Sequence, residues 1–210
     1  MRVKAGRNIA VFISGRGSNL KALLDACDGG HLDANICLVL SNKKSAGGLE
    51  HAAAHGIPTV VVSHKGFASR EEYEEQLIGV LQEHHVDVVV LAGFMRILTG
   101  YFLSAFPNRV LNIHPSILPS FPGVDAQRQA LEYGVAVSGC TVHFVDEGTD
   151  SGPIIDQAVV PVLLGDERDT LAARILVQEH RILPRALALL VAGRLEIQGR
   201  EVLVHEHVKS

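Results

Sequence analysis

The chain has 210 residues, 47% hydrophobic and 20% charged, enough apolar material to bury one substantial core. A formal net charge of −4 and a pI near 6.2 argue against a general nucleic-acid binder, so an anionic ligand must be held by a local site. Three scattered cysteines, Cys27, Cys37 and Cys140, form no CxxC pair and indicate neither a disulfide framework nor a structural zinc site.

The start of the chain, Met1 to Arg7, is basic, but the apolar run behind it stops at Ser14-Gly15, too short for a signal peptide. No apolar stretch approaches the ~20 residues of a membrane helix, so a cytoplasmic protein is expected. Ile9–Ile13 reads as a buried strand ending in the loop Ser14-Gly15-Arg16-Gly17-Ser18-Asn19, and Leu20, Leu23 and Leu24 then follow a helical period. Ile36–Leu40 is a second strand, residues 47–55 a helix, and Thr59–Val62 a third strand. Residues 69–84 read as a longer helix, with Ser69 as N-cap and Glu72 completing a capping box. Val86–Ala92 is a fourth buried strand. Continuous apolar strands alternating with helices predict an α/β, Rossmann-like open and mostly parallel sheet with helices on both faces.

A short helix near 99–106 leads to a strand at 110–114. The proline-rich segment 115–123 is a loop, followed by a helix near 124–133. Residues 140–145 and 154–160 read as two strands around a loop at 146–153, and 168–192 as a long helix that Pro184 is expected to kink or split. A terminal hairpin around Gly199-Arg200 closes the pattern. The C-terminal part thus adds antiparallel strands and a long helix. The whole of 1–210 reads as one domain, with a phosphate-binding half at 8–93 and a catalytic half at 94–210.

Three segments carry chemistry. The loop 15–19 joins a strand to a helix, where glycines admit an anion and the helix N-terminus offers free N–H groups. It lacks a third glycine, since Leu20 stands there, and no acidic residue ends the second strand, which reads Ser41-Asn42. A phosphate monoester therefore fits better than a dinucleotide; an ordinary strand-to-helix turn is the alternative. Gly93-Phe94-Met95-Arg96-Ile97-Leu98 either lines a pocket for a flat aromatic ligand or packs in the core. Asn112-Ile113-His114-Pro115 sits at a strand end, where residues two apart face the same way. The Asn can donate to an oxyanion and the His can exchange a proton near neutral pH. Asp150-Ser151-Gly152-Pro153 supplies a carboxylate in a turn, which is either a local backbone acceptor or the third member of a constellation. His84-His85, His143, His180, His205 and His207 show no ligand spacing, so no metal is expected.

These segments, in this order, resemble the phosphoribosylglycinamide formyltransferase family over roughly residues 8–198. The resemblance implies that 10-formyltetrahydrofolate is the cosubstrate and that Asn112, His114 and Asp150 are catalytic. It implies that Gly17, Ser18, Asn19 and Glu179 bind the phosphoribosylglycinamide. Arg70, Leu91, Met95, Arg96, Ile97, Leu98 and Asn112 would bind the folate, with Arg70 at its glutamyl tail. It implies small-molecule substrates only, with no nucleic acid, membrane or metal, and a monomer or homodimer. Asp125 and Gln127 depart from the family pattern, where a His is expected. Two alternatives stand beside this reading: a formyltetrahydrofolate hydrolase or tRNA formyltransferase, which would carry an added domain, and a binding module without turnover.

Overall fold

The computed structural model describes residues 6–206. Its first half runs β1 (Asn8–Ile13), α1 (Ser18–Asp28), β2 (Asn35–Ser41), α2 (Gly48–Ala54), β3 (Thr59–Val61), α3 (Arg70–Glu83) and β4 (Val88–Leu91). Next come α4 (Gly100–Ala105), β5 (Val110–His114), α5 (Ala126–Tyr133), β6 (Val137–Phe144), β7 (Ile154–Pro161), α6 (Arg168–Val191), β8 (Leu195–Gln198) and β9 (Glu201–Val204). Seven strands form one sheet in the order β3-β2-β1-β4-β5-β6-β7, and β8 and β9 form a separate antiparallel pair. The pairings from β3 to β5 are parallel, and β6 and β7 are antiparallel.

The sheet is buried on both faces because its strands alternate between two cores. Ile9, Val11 and Ile13 pack with the leucines of α1 and with Leu171, Ile175, Leu183 and Leu187 of α6. Ala10 and Phe12 point the other way, to Tyr73, Leu77 and Leu81 of α3 and Phe102 of α4. Successive side chains on a strand point to opposite faces, which is why a continuous apolar run is needed here. The rings of Phe94 and Phe102 meet Phe12 edge-on at 5.1 and 6.0 Å.

Two local expectations change. Pro184 does not split the last helix, and α6 runs unbroken from Arg168 to Val191. Leu183, Ala186, Leu187 and Leu190 are fully buried around it, so burial of that face outweighs the ~3 kcal/mol that an interior proline costs. At α3, Ser69 Oγ accepts from the Glu72 amide at 3.0 Å, as a cap should. The Glu72 carboxylate, however, accepts from the Ala68 amide at 2.7 Å, one residue before the position of a standard capping box. The basic segment 1–5 and His207 lie outside the described residues. No described helix is long and apolar enough to cross a membrane.

Candidate active site

Strand order reverses between β1 and β4, since β2 and β3 lie on one side of β1 and β4 and β5 on the other. The crevice beyond the C-terminal ends of such strands is where open α/β sheets bind ligands. The loop after β1 and the segment after β4 border it. They are tied together by Ser14, whose hydroxyl accepts from the Met95 amide at 2.9 Å and donates to Asn42 Oδ1 at 2.7 Å.

The first loop is shaped by Gly17, which caps α1 in the left-handed region at φ 76°. A side chain there would also strike the backbone of Gly48, whose Cα would lie 2.4 Å from an added Cβ. The first intrahelical bond is Lys21 N–H to the Gly17 carbonyl, so the amides of Ser18, Asn19 and Leu20 have no intrahelical acceptor. None of the residues of the first turn itself is acidic. Asn19 is buried and donates through Nδ2 to Glu179 Oε2 at 2.6 Å, while its Oδ1 has no partner. Burial pushes the Glu179 carboxyl above its usual range, opposed by that one bond.

The segment after β4 divides. Leu91 and Leu98 are buried in the core beside Phe94 and Phe102. Met95 and Ile97 turn outward, 67% and 50% exposed. Arg96 lies over the Tyr73 ring, 5.4 Å from its centroid. Arg70 is exposed at the start of α3, one turn before Tyr73.

The third segment brings its members together. Asp150 Oδ2 lies 3.2 Å from His114 Nδ1, and Asp150 Oδ1 accepts from Asn112 Nδ2 at 3.3 Å. Asn112 and His114 therefore do share a face, while Ile113 between them enters the opposite core. Asp150 is held at φ 52°, an uncommon conformation that aspartate tolerates better than most residues. Its turn reaches the strand because Gly152 has no Cβ; one would fall 1.8 Å from the Phe144 carbonyl oxygen. The turn is closed by Ser151, which donates to Asp146 at 2.6 Å.

Two partners of this cluster were not legible in the sequence. His143, only 2% exposed, stands directly across from Asn112 in the β5–β6 register. Its Nδ1 faces the Phe144 carbonyl oxygen at 2.8 Å, so that nitrogen carries the hydrogen and Nε2 accepts. Asn112 Nδ2 donates to it at 3.1 Å, which fixes the amide's orientation. The available signal was a polar pair, Thr141 and His143, alternating inside an apolar strand. The second partner is the loop 115–123. The Gly123 amide donates to Asp150 Oδ2 at 2.7 Å, and the Phe121 carbonyl lies 2.9 Å from His114 Nε2. Phe121 sits at φ 55°, where a bulky residue is a genuine outlier, so the loop spends conformational energy to aim that carbonyl. Thr141 and Gln157 hold the loop by bonds to Leu118 at 3.1 and 2.9 Å; its Leu118–Pro119 bond is cis.

The electrostatics follow from burial. Desolvation holds the His114 imidazolium below its usual range, against the opposing pull of the Phe121 carbonyl and Asp150. Burial also works against the Asp150 carboxylate, yet the Gly123 amide and the His114 charge hold it below the usual carboxylate range. Asp125, at φ 55° before α5, is salt-bridged to Arg168 and Arg128 at 2.8 and 3.0 Å and makes no hydrogen bond to the cluster. Among the described residues no group of three His, Cys, Asp or Glu could hold a metal ion. His84 bonds the Val80 carbonyl and His205 pairs with Glu196.

The half-buried Asp150 carboxylate thus gathers an amide donor and an imidazole beside an α/β switch point, a set able to stabilise an oxyanion and to exchange a proton. The formyl transferase family model matches residues 7–187, and the chain belongs to that family. It is 48% identical over 190 residues to the phosphoribosylglycinamide formyltransferase of Escherichia coli (strain K12), covering 90% of each protein. It superposes on the glycinamide ribonucleotide transformylase 1 of Symbiobacterium toebii with a TM-score of 0.94 and 50% identity, covering 95% of this chain and 94% of that one. It also matches the trifunctional purine biosynthetic protein adenosine-3 of Drosophila pseudoobscura pseudoobscura at 53% identity. That match covers 90% of this chain and only 14% of the much longer relative. A formyltetrahydrofolate deformylase from Pseudomonas syringae superposes with a TM-score of 0.87 at 30% identity, the match covering 67% of that chain.

Proposed function

We propose that this chain transfers the formyl group of 10-formyltetrahydrofolate to the glycinamide amine of 5'-phosphoribosylglycinamide. The observation that carries the reading is the convergence of Asn112 and His114 on Asp150, on the same edge of the sheet as the N-terminus of α1, whose own first turn has no acidic residue. In this reading the phosphate rests on the amides of the Gly17, Ser18 and Asn19 turn, and Glu179 holds the ribose or glycinamide end. The pterin lies against Met95, Arg96 and Ile97, with Leu91 and Leu98 behind them and the loop 146–150 opposite. Arg70 meets the glutamyl tail.

The amine lone pair attacks the formyl carbon, and the carbonyl π electrons move onto oxygen. Asn112 already gives one amide hydrogen to His143; the longer bond to Asp150 is the one an oxyanion would take over. A neutral His114 has one ring hydrogen but an oxygen at each ring nitrogen. Accepting the amine's proton completes both hydrogen bonds, so the His114–Asp150 pair is built to take it up. Collapse of the intermediate expels the folate nitrogen, which receives that proton. The new C–N bond replaces the broken one, and no redox partner is required.

The test is a formyl-transfer assay with the purified chain, 10-formyltetrahydrofolate and glycinamide ribonucleotide, followed by folate absorbance. Turnover dependent on the ribonucleotide is expected, with Asn112→Ala lowering kcat by ~10²–10³ and His114→Ala by roughly 10²–10⁴. Formate release without the ribonucleotide would make water the acceptor and the chain a hydrolase. Binding of both substrates without turnover would make it a binding module.

A further inference from the structure

A half-open pocket of about 380 Å³, lined by none of the site residues named above, lies along α6. Arg181, Pro184, Arg185 and Leu189 line it from one face of α6, Arg194 enters just before β8, and His31 reaches in from the loop after α1. Three guanidinium groups and an imidazole thus share one cavity in a protein of net charge −4, and none of the lining residues is acidic.

The charges are not all answered from within. Arg185 is, by a bidentate pair with Asp156 at 2.6 Å on each arm. Arg194 uses Nε on the His205 carbonyl at 2.6 Å, and its Nη groups have no hydrogen-bond acceptor among the described residues. Arg181 has a single contact, to Gln178 Oε1 at 3.4 Å, which is marginal geometry. The carboxylates near His31 in sequence are engaged elsewhere, Asp25 with Lys21, Asp28 with His55 and Asp33 with Arg7. Arg181 and Arg185 are spaced i,i+4, where like charges repel. Both precede the last turn of α6, which contains no basic residue, so service to the helix dipole does not explain them.

We propose that this pocket binds an organic phosphate of about nucleotide size. Its phosphoryl oxygens would take the open donors of Arg181 and Arg194, since guanidinium forks match phosphate geometry. Its less polar body would lie on Pro184 and Leu189. The volume suits such a ligand, at the small end of ligand cavities.

The probe is AMP, titrated calorimetrically into the native full chain; binding at the loop after β1 would be untouched by substitutions in this pocket and is told apart in that way. Saturable binding is expected. Arg181→Glu, on an exposed helix face, and separately Arg194→Gln should each weaken it by about tenfold or more, the scale of one lost charge-assisted bond. Inorganic phosphate, lacking the body, should bind at least about tenfold more weakly than AMP. AMP affinity unchanged in both variants, no saturable binding to the native chain, or equal affinity for AMP and inorganic phosphate would overturn the proposal. None of these outcomes bears on formyl transfer, which is assayed separately on the native chain.

Discussion

Replacing Asp150 by Asn keeps the shape of the turn and removes the charge on which the proposed mechanism depends. The carboxylate lies 3.2 Å from His114 Nδ1, and an opposite charge at such range raises a histidine's pKa by about 1–3 units. Each unit is worth 1.36 kcal/mol, so the imidazolium loses about 1.4–4 kcal/mol of support. The sign follows directly. Burial already lowers the His114 pKa and Asp150 opposes that, so removing Asp150 lowers it further. If neutral His114 is the proton acceptor, the acid limb of the kcat profile moves to lower pH. Geometry adds a second loss. Oδ2 accepts from Gly123 while Oδ1 accepts from Asn112, and an asparagine can offer an oxygen to only one of them. Its NH2 then confronts a donor, so a plateau kcat lower by ~10² or more is expected alongside the shifted limb. The assay is kcat against pH at saturating substrates, beside the native protein. A limb that stays in place or rises would refute the electrostatic argument, and an unchanged plateau would refute the geometric one.

His143→Phe fills the same space but removes the acceptor that fixes the Asn112 amide. Its kcat should fall by roughly 10–10², less than loss of the oxyanion donor itself, with KM for both substrates little changed; a KM effect alone would mean His143 only supports the pocket. Glu179→Gln should retain the bond to Asn19 while ending the burial of an ionisable carboxyl. Because burial raises the folded-state pKa of Glu179, its share of stability is present at low pH and is lost as pH rises through the folded value. The variant should therefore melt higher than the native protein at neutral pH, by about 2–4 °C per kcal/mol recovered, and the gap should close in acid. A higher KM for the ribonucleotide should accompany the gain, and equal melting at all pH values would show that the carboxyl costs the fold nothing.

Much of this protein was legible in the order of its residues. Continuous apolar strands such as Ile9–Ile13 must be covered on both faces, which calls for helices between them and hence a parallel sheet. The shared face of Asn112 and His114 follows from the period of a strand, and the anion-ready start of α1 from glycine and unpaired amides. Local rules reach no further than neighbouring residues. That is why Pro184 read as a break, although burial of Leu183 and Leu187 carries the helix through it. The separation of Leu91 and Leu98 from Met95 and Ile97 depended on how the chain leaves β4 toward α4, which no apolar count could divide. The pairing of His143 with Asn112 is a matter of strand register across 31 residues. Phe121 and Gly123 reach His114 and Asp150 through carbonyl and amide groups that every residue possesses, so side-chain identity could not mark them. The sequence alone determined the sheet, the two loops at its edge and the chemical types of the groups proposed to be catalytic. Tertiary structure decided which partners surround those groups, and therefore their orientation and proton affinity, because hydrogen bonding and desolvation depend on distances that only the folded chain brings about.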